Sequence, residues 1–202
     1  MRKHSDRKLI IAATIIEADH LIQRFSMIKE TADPFSSYTS GNLRLVISGI
    51  GKINAAIAAS WALSTNSCDT VINGGAAGAL GMEHPLGTIY CISSVIDYDR
   101  PHLKSGKPFQ YTTDTIQAMK TATLATCNIP AIDPIQRQNL SAYAQLIDME
   151  GAAVAHTCRK FGVTCHLLKY VSDTPEHTHD RDIVKNIRIY GHVLADTLEL
   201  II

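Results

Sequence analysis

Carboxylates stand where apolar segments end. Glu17 follows LIIAATII, Asp148 and Glu150 fall inside QLIDMEGAAVAH, and Asp173 ends the run before TPEHTHD. A charged group is costly to bury without a partner. Acids at the ends of buried strands are therefore candidates for chemistry. If the strands are parallel neighbours, their ends converge on one crevice, the usual ligand position in α/β sheets. Several acids around one pocket suit cleavage of a glycosidic bond, in which one acid protonates the leaving group and another prepares water. The plainer alternative for Glu17 is a solvated glutamate in the first turn of a helix, held there by the helix dipole.

Two glycine-bearing turns accompany these acids. SGIGKINAA (Ser48–Ala56) follows a strand and opens a helix, but Asn54 replaces the third glycine of a dinucleotide fingerprint. A tight strand-to-helix turn is the better reading. NGGAAGAL lacks the Gly-Lys-Ser/Thr of a phosphate loop. Its glycines let backbone approach a ligand closely, so Gly75, Ala76, Ala77 and Gly78 are expected to line a binding site. The His177 and His179 pair lies in a polar stretch before a helix and reads as a solvated loop, with Asp180 or a neighbour as the cap; no metal is expected.

The elements that must position these residues alternate. Short apolar runs of strand length recur at Leu9–Ile15, Leu43–Ile47, Thr70–Ile72, Thr88–Ile96, Leu146–Ile147 and Cys165–Val171, and several lack alternation, as strands covered on both faces do. Helical patterns span Lys52–Leu63, Glu150–Phe161 and Asp182–Ile202. This order predicts an α/β sandwich around a mostly parallel or mixed sheet. Asp97–Thr115 is polar and reads as a long loop.

The chain has 202 residues, 46% of them apolar, and 19 basic against 19 acidic side chains. One globular domain over 1–202 is expected, with residues 1–8 as a short basic tail. A neutral balance argues against nucleic acid or an anionic membrane as the main partner. The five cysteines are scattered without C-x-x-C spacing and read as buried thiols in a reducing, cytoplasmic setting. The apolar run near the N-terminus is interrupted by Glu17 and Asp19, unlike a secretory signal.

In their order, IIAATIIEADHL, SGIGKINAAIA, NGGAAGAL, IDMEGAAVAH and VSDT resemble the bacterial nucleosidases of the nucleoside phosphorylase superfamily, in the 5′-methylthioadenosine/S-adenosylhomocysteine nucleosidase and futalosine hydrolase branch. The resemblance implies a three-layer α/β/α fold with a mixed central sheet, a homodimer, no cofactor and a small nucleoside as substrate. It implies that Glu17 activates water, that Glu150 binds the ribose hydroxyls with Met149 packed on the sugar, and that Asp173 helps protonate purine N7 while Ser172 orients it. For the last role Asp173 would have to be kept protonated by its surroundings. Asp148 is placed behind this set. Phosphorylases of the superfamily bear glycine and arginine after the first strand, where this chain has ATIIEADH, so hydrolysis is implied.

Three departures bear on the substrate. Ala76 replaces a serine, and Lys169 replaces an arginine four residues before the catalytic aspartate. The aromatic that stacks on adenine gives way to ATCNI, where Cys127 and Asn128 are the expected lining residues. The shortened segment between Asp97 and Thr121 leaves room for a bulky 5′ group. An aliphatic residue at Ala76 is similar to futalosine hydrolases, which would place the enzyme in menaquinone biosynthesis, whereas Asp173 suits adenine. Aminodeoxyfutalosine satisfies both. The alternatives are a phosphorolytic enzyme and a non-catalytic nucleoside-binding module.

Overall fold

The computed structural model describes residues 6–202. Most of the expected basic tail, residues 1–5, lies outside the described residues, and Lys8 already belongs to the first strand. The order is β1 (Lys8–Ala12), α1 (Ile15–Arg24), β2 (Ile28–Thr31), β3 (Ser37–Ser40), β4 (Leu43–Ile47), α2 (Lys52–Thr65) and β5 (Thr70–Ala79). There follow β6 (Ile89–Pro101), β7 (Pro108–Thr112), β8 (Thr121–Thr126), α3 (Pro134–Ser141), β9 (Leu146–Asp148), α4 (Gly151–Phe161), β10 (Thr164–Asp173) and α5 (Asp180–Ile201).

These strands form one mixed sheet in the order β10-β6-β8-β9-β5-β1-β4-β3-β2, with β7 added on β6. An additional β10–β5 pairing closes β10, β6, β8, β9 and β5 into a ring. The sheet is covered on both faces. On one, Ala55, Ala58 and Ala62 of α2 and Val154 and Cys158 of α4 pack on Leu9, Val46 and Val71. On the other, Leu21 of α1 and Leu194 and Leu198 of α5 pack on Ile10, Leu45 and Ile72. Successive strand residues point to opposite faces, so Leu9 and Ile10 serve different layers. That is why the apolar runs do not alternate. The expected three-layer α/β/α sandwich with a mixed sheet is what the chain adopts.

Several expected boundaries move. The strand expected to reach Ile15 ends at Ala12, because Thr14 caps α1: Glu17 N–H donates to Thr14 Oγ1 at 3.3 Å, and Thr14 N–H donates to Glu17 Oε2 at 2.9 Å. This reciprocal pair is a capping box, written in the sequence as T-x-x-E. The long loop expected over Asp97–Thr115 is mostly a hairpin, in which Val95 faces Tyr111 and Asp97 faces Phe109. Its apolar residues are sparse in sequence, and only pairing with β6 makes it a strand.

Candidate active site

β1, β5 and β10 run parallel, so their C-terminal ends lie together. β9 does not join them that way. It runs antiparallel to β5, with Gly78 facing Ile147 and Ala79 facing Leu146, so Asp148 and Glu150 reach the same place from the opposite direction. The condition that all the acids stand at the ends of parallel strands therefore does not hold for Asp148 and Glu150. The convergence itself stands: Glu17, Asp148, Met149, Glu150, Ser172 and Asp173 all line one cavity of about 220 Å³. Ile50, Pro130 and Ile132 supply apolar wall. A larger hollow of about 440 Å³ opens among Arg7, Asn42 and Arg44 at the opposite ends of β1 and β4. It collects none of these acids.

Of the NGGAAGAL segment, residues 73–79 are not a turn around a ligand but the C-terminal part of β5. Its glycines make room for acids. A Cβ on Gly75 would stand 2.7 Å from Glu17 Oε1, and one on Gly78 would stand 2.5 Å from Asp173 Oδ2. Both are closer than a real Cβ contact permits, so only glycine lets these two carboxylates lie on the strand. Ala76 N–H then donates to Glu17 Oε1 at 2.9 Å. Ala76 and Ala77 line the cavity together with Gly78.

Glu17 is 6% exposed. Oε2 accepts from both Thr14 N–H and Thr14 Oγ1 at 2.9 Å, and Oε1 accepts from Ala76. A carboxylate offers about four acceptor sites. Three are filled by donors that fix its orientation, which leaves one for a water in the cavity.

Glu150, also 6% exposed, precedes α4 and accepts a 2.8 Å hydrogen bond from Gly51 N–H. The glycine turn SGIG thus serves a carboxylate: Gly49 and Gly51 take φ of 86° and 100°, conformations that favour glycine, and aim an amide across the site. Burial, and Asp148 beside it, push Glu150 up to about 7, against the pull of Lys169 and the Gly51 amide.

Asp148 is tied down on every side. Thr126 Oγ1 donates to Oδ1 at 2.6 Å, and Gly151 N–H and Lys169 Nζ each reach Oδ2 at 2.8 Å. Burial alone would lower the Lys169 ammonium, but Asp148 and Glu150 opposite it raise it above its ordinary value. The two acids of IDMEG have two different jobs. Asp148 holds the buried lysine and the start of α4, while Glu150 faces the cavity.

Asp173 departs from expectation. Ser172 Oγ donates to its Oδ1 at 2.7 Å, and Oδ2 is in an ion pair with Arg137 Nη2, a side chain only 3% exposed. A carboxyl kept protonated by its surroundings was expected. The structure instead seats a hydrogen-bond acceptor against a buried guanidinium. Nothing in the sequence flagged Arg137, because it lies in DPIQRQNLS, where only Ile135 and Leu140 are apolar. Asp133 caps that helix by accepting from Ile135 N–H at 2.9 Å, and Pro134 follows at its first turn. The D-P signal marks the helix start but says nothing of which side chain turns inward.

Cys127 and Asn128 do not line the cavity. Cys127 is 1% exposed in a core cluster with Leu80, Ala125 and Leu140, and burial pushes its thiol up to about 12. Asn128 is exposed, with its N–H donated to Asp99. The wall expected there is supplied by Pro130, Ala131 and Ile132. His177 Nδ1 lies 2.8 Å from Thr174 Oγ1, and among the described residues no group of three or more His, Cys, Asp or Glu is arranged to hold a metal ion. No described helix is long and apolar enough to cross a membrane.

A pH dependence follows from Glu150. Its folded value near 7, against an ordinary 4.5, means the folded chain binds more protons than the unfolded one between those values. This group therefore lowers stability as pH rises through that window. In the free enzyme the ionised form, the one that accepts from hydroxyls, is lost as pH falls through about 7. The expected kcat/KM declines along that limb, and Glu150→Gln should remove the limb along with much of the activity. An identical limb in wild type and variant would assign the titration to another group.

The chain is 25% identical to the 5′-methylthioadenosine/S-adenosylhomocysteine nucleosidase of Shewanella sediminis, over 91% of this chain and 93% of that protein. It is 29% identical to the enzyme of the same name from Anoxybacillus flavithermus, over 81% and 84%. In fold it is similar to Arabidopsis thaliana 5′-methylthioadenosine nucleosidase, with a TM-score of 0.86, 19% identity and coverage of 97% and 94%. The native futalosine hydrolase of Helicobacter pylori superposes with a TM-score of 0.82 at 18% identity, covering 98% and 97%. The family model of the phosphorylase superfamily matches residues 9–202, and with the sheet and site described above this chain belongs to that superfamily.

Proposed function

We propose that this protein is an N-ribosyl hydrolase that cleaves the glycosidic bond of a purine nucleoside modified at its 5′ position, the methylthioadenosine, S-adenosylhomocysteine and futalosine class. The observation that carries the reading is Glu17, a buried carboxylate with three fixed donors and one acceptor site turned to the cavity. Such a group takes a proton from water and repels phosphate. Water oxygen bonds to C1′ as its proton passes to Glu17, and the C1′–N9 electron pair leaves with the base. Glu150, once ionised, stabilises the positive charge that builds on the ribose. The Arabidopsis and Helicobacter structures named above are of enzymes whose names carry this chemistry, and the curated relatives share it.

The test is release of free purine from a panel of 5′-modified nucleosides with and without phosphate. The expected rate is independent of phosphate and the sugar product is free. A sugar 1-phosphate as product would replace this reading with phosphorolysis, and failure to release base from any of the panel would favour a binding module.

The same reading places the enzyme in the cytoplasm as a homodimer. Support for the dimer comes from Ile50, in the turn before α2 and on the cavity wall, and from Ile53 and Ile57 one helical turn apart on α2, which are 56%, 76% and 54% exposed. Apolar side chains clustered in this way mark contact surfaces. The expected result is a dimer in sedimentation at micromolar concentration, and Ile53→Glu should shift it toward monomer. A wild-type monomer with full activity would remove the dimer from the reading.

A further inference from the structure

The cavity wall includes a cation that the proposed hydrolysis, carried by Glu17 and Glu150, leaves unused. Arg137 is 3% exposed and shares the cavity wall with Asp173. Its Nε donates to Ala131 O at 2.6 Å and its Nη1 to Ala79 O at 2.6 Å, while Nη2 pairs with Asp173. A guanidinium has five N–H donors. Three are spent, and one remains on each Nη. Two backbone carbonyls, one at the end of β5 and one in the segment before α3, fix its plane, so the side chain is a built feature of the wall.

At this wall a carboxylate and a guanidinium stand side by side. The purine edge that carries N7 and the 6-substituent comes in two forms. Adenine presents an acceptor at N7 and a donor at N6, whereas a 6-oxopurine presents two acceptors, N7 and O6. Asp173 alone serves the adenine form, because its oxygen accepts from the 6-amino group. Against a 6-oxo group a lone carboxylate sets acceptor against acceptor. Arg137 supplies the donor that the second form needs, in the pairing by which arginine reads the N7 and O6 edge of guanine. Its N–H groups also favour the negative charge that builds on a departing 6-oxopurine.

We propose that Arg137 is a specificity-determining residue that admits 6-oxopurine nucleosides, of the hypoxanthine type, to the same site as adenine nucleosides. The inference rests on the nucleosidase reading for turnover, but not for binding of the base.

The experiment uses the full-length chain and a matched pair, 5′-methylthioadenosine and 5′-methylthioinosine, which differ only at position 6. Arg137→Met should lower kcat/KM for the inosine substrate about 10–100-fold more than for the adenosine one, the scale of a charged hydrogen bond lost. Arg137→Lys should fall between. Loss of fold or of Asp173 geometry would lower both substrates together, so the ratio is the informative quantity. Equal losses on the two substrates, or a greater loss on the adenosine, would overturn the proposal. Calorimetric binding of free hypoxanthine and free adenine to wild type decides the matter if the variants do not fold. Affinities within about tenfold of each other support the inference. Adenine binding without hypoxanthine binding, or no binding of either, overturns it. Binding of both bases with no hydrolysis of either nucleoside would refute the hydrolase reading while leaving the base preference in place.

Discussion

Glu17→Gln lowers turnover about 10²–10⁴-fold, the scale for loss of a general base, and leaves the chain folded. The fold survives because glutamine at the third helical position can still complete the capping box with Thr14. The change falls on the other oxygen. Glu17 Oε1 and Oε2 accept from Ala76 and Thr14 respectively, and a glutamine has only one oxygen for these two directions. Its NH2 must face either the Ala76 amide or the Thr14 amide, donor against donor, at a cost of about 1–3 kcal/mol. Melting should therefore shift modestly while catalysis nearly stops. The check is single-turnover base release on the best substrate of the panel, with inhibitor affinity measured beside it. Near-normal turnover with intact affinity would remove Glu17 as the base and with it the proposed mechanism, though not the membership of the superfamily.

Asp148→Ala destabilises the protein by about 3–5 kcal/mol, the cost of leaving a buried charge without its partner. That is a large part of the 5–15 kcal/mol typical of a whole domain. Lys169 is 1% exposed and its ammonium lies 2.8 Å from Asp148 Oδ2. Without Asp148 the amide of Gly151 and the hydroxyl of Thr126 lose their acceptor as well. Replacing both members of the pair, as Asp148→Leu with Lys169→Met, should recover much of the stability, since an apolar pair of similar volume replaces a desolvated ionic one. Denaturant unfolding of wild type, single and double variants measures this. A single-variant loss below about 1 kcal/mol would show that the pair does not carry the structural role argued for it. Asp148 also raises Glu150, so in any folded Asp148 variant the acidic limb of the activity profile should move to lower pH.

Much was legible because it is local or periodic. Unalternating apolar runs separated by helical patterns state a sheet covered on both faces, and Leu9 and Ile10 do serve opposite layers. A carboxylate at the end of an apolar run is conspicuous because burial is costly. That is why Glu17, Glu150 and Asp173 stand out in a single sequence. The T-x-x-E of Thr14 and Glu17 was equally readable and would have ended β1 where it ends. Other features have no local signature. β7 and β8 are short, with threonines and small residues between their few large side chains, and are defined by the partners that β6 and β9 offer them. Cys127 sits in a segment that points at the site from sequence order, yet it turns into the core beside Leu80 and Leu140.

By itself, then, the sequence determined which layers pack, which acids lack a structural excuse, and that glycines must flank them. Only the tertiary structure decided what each acid does. Asp148 and Glu150 are two residues apart and would share a face on a continued strand, yet one is consumed by Lys169 and the other faces the cavity, because β9 ends at Asp148 and the chain turns into α4 at Glu150. Arg137 is 36 residues from Asp173 and lies on a polar helix, so no propensity or spacing relates them. Their contact is fixed by where α3 lands against the end of β5, with Ala79 O holding the guanidinium in place. Long-range pairings of this kind are set by the closing of the sheet, and a charge that would be unaffordable alone becomes stable only when that closure brings its partner.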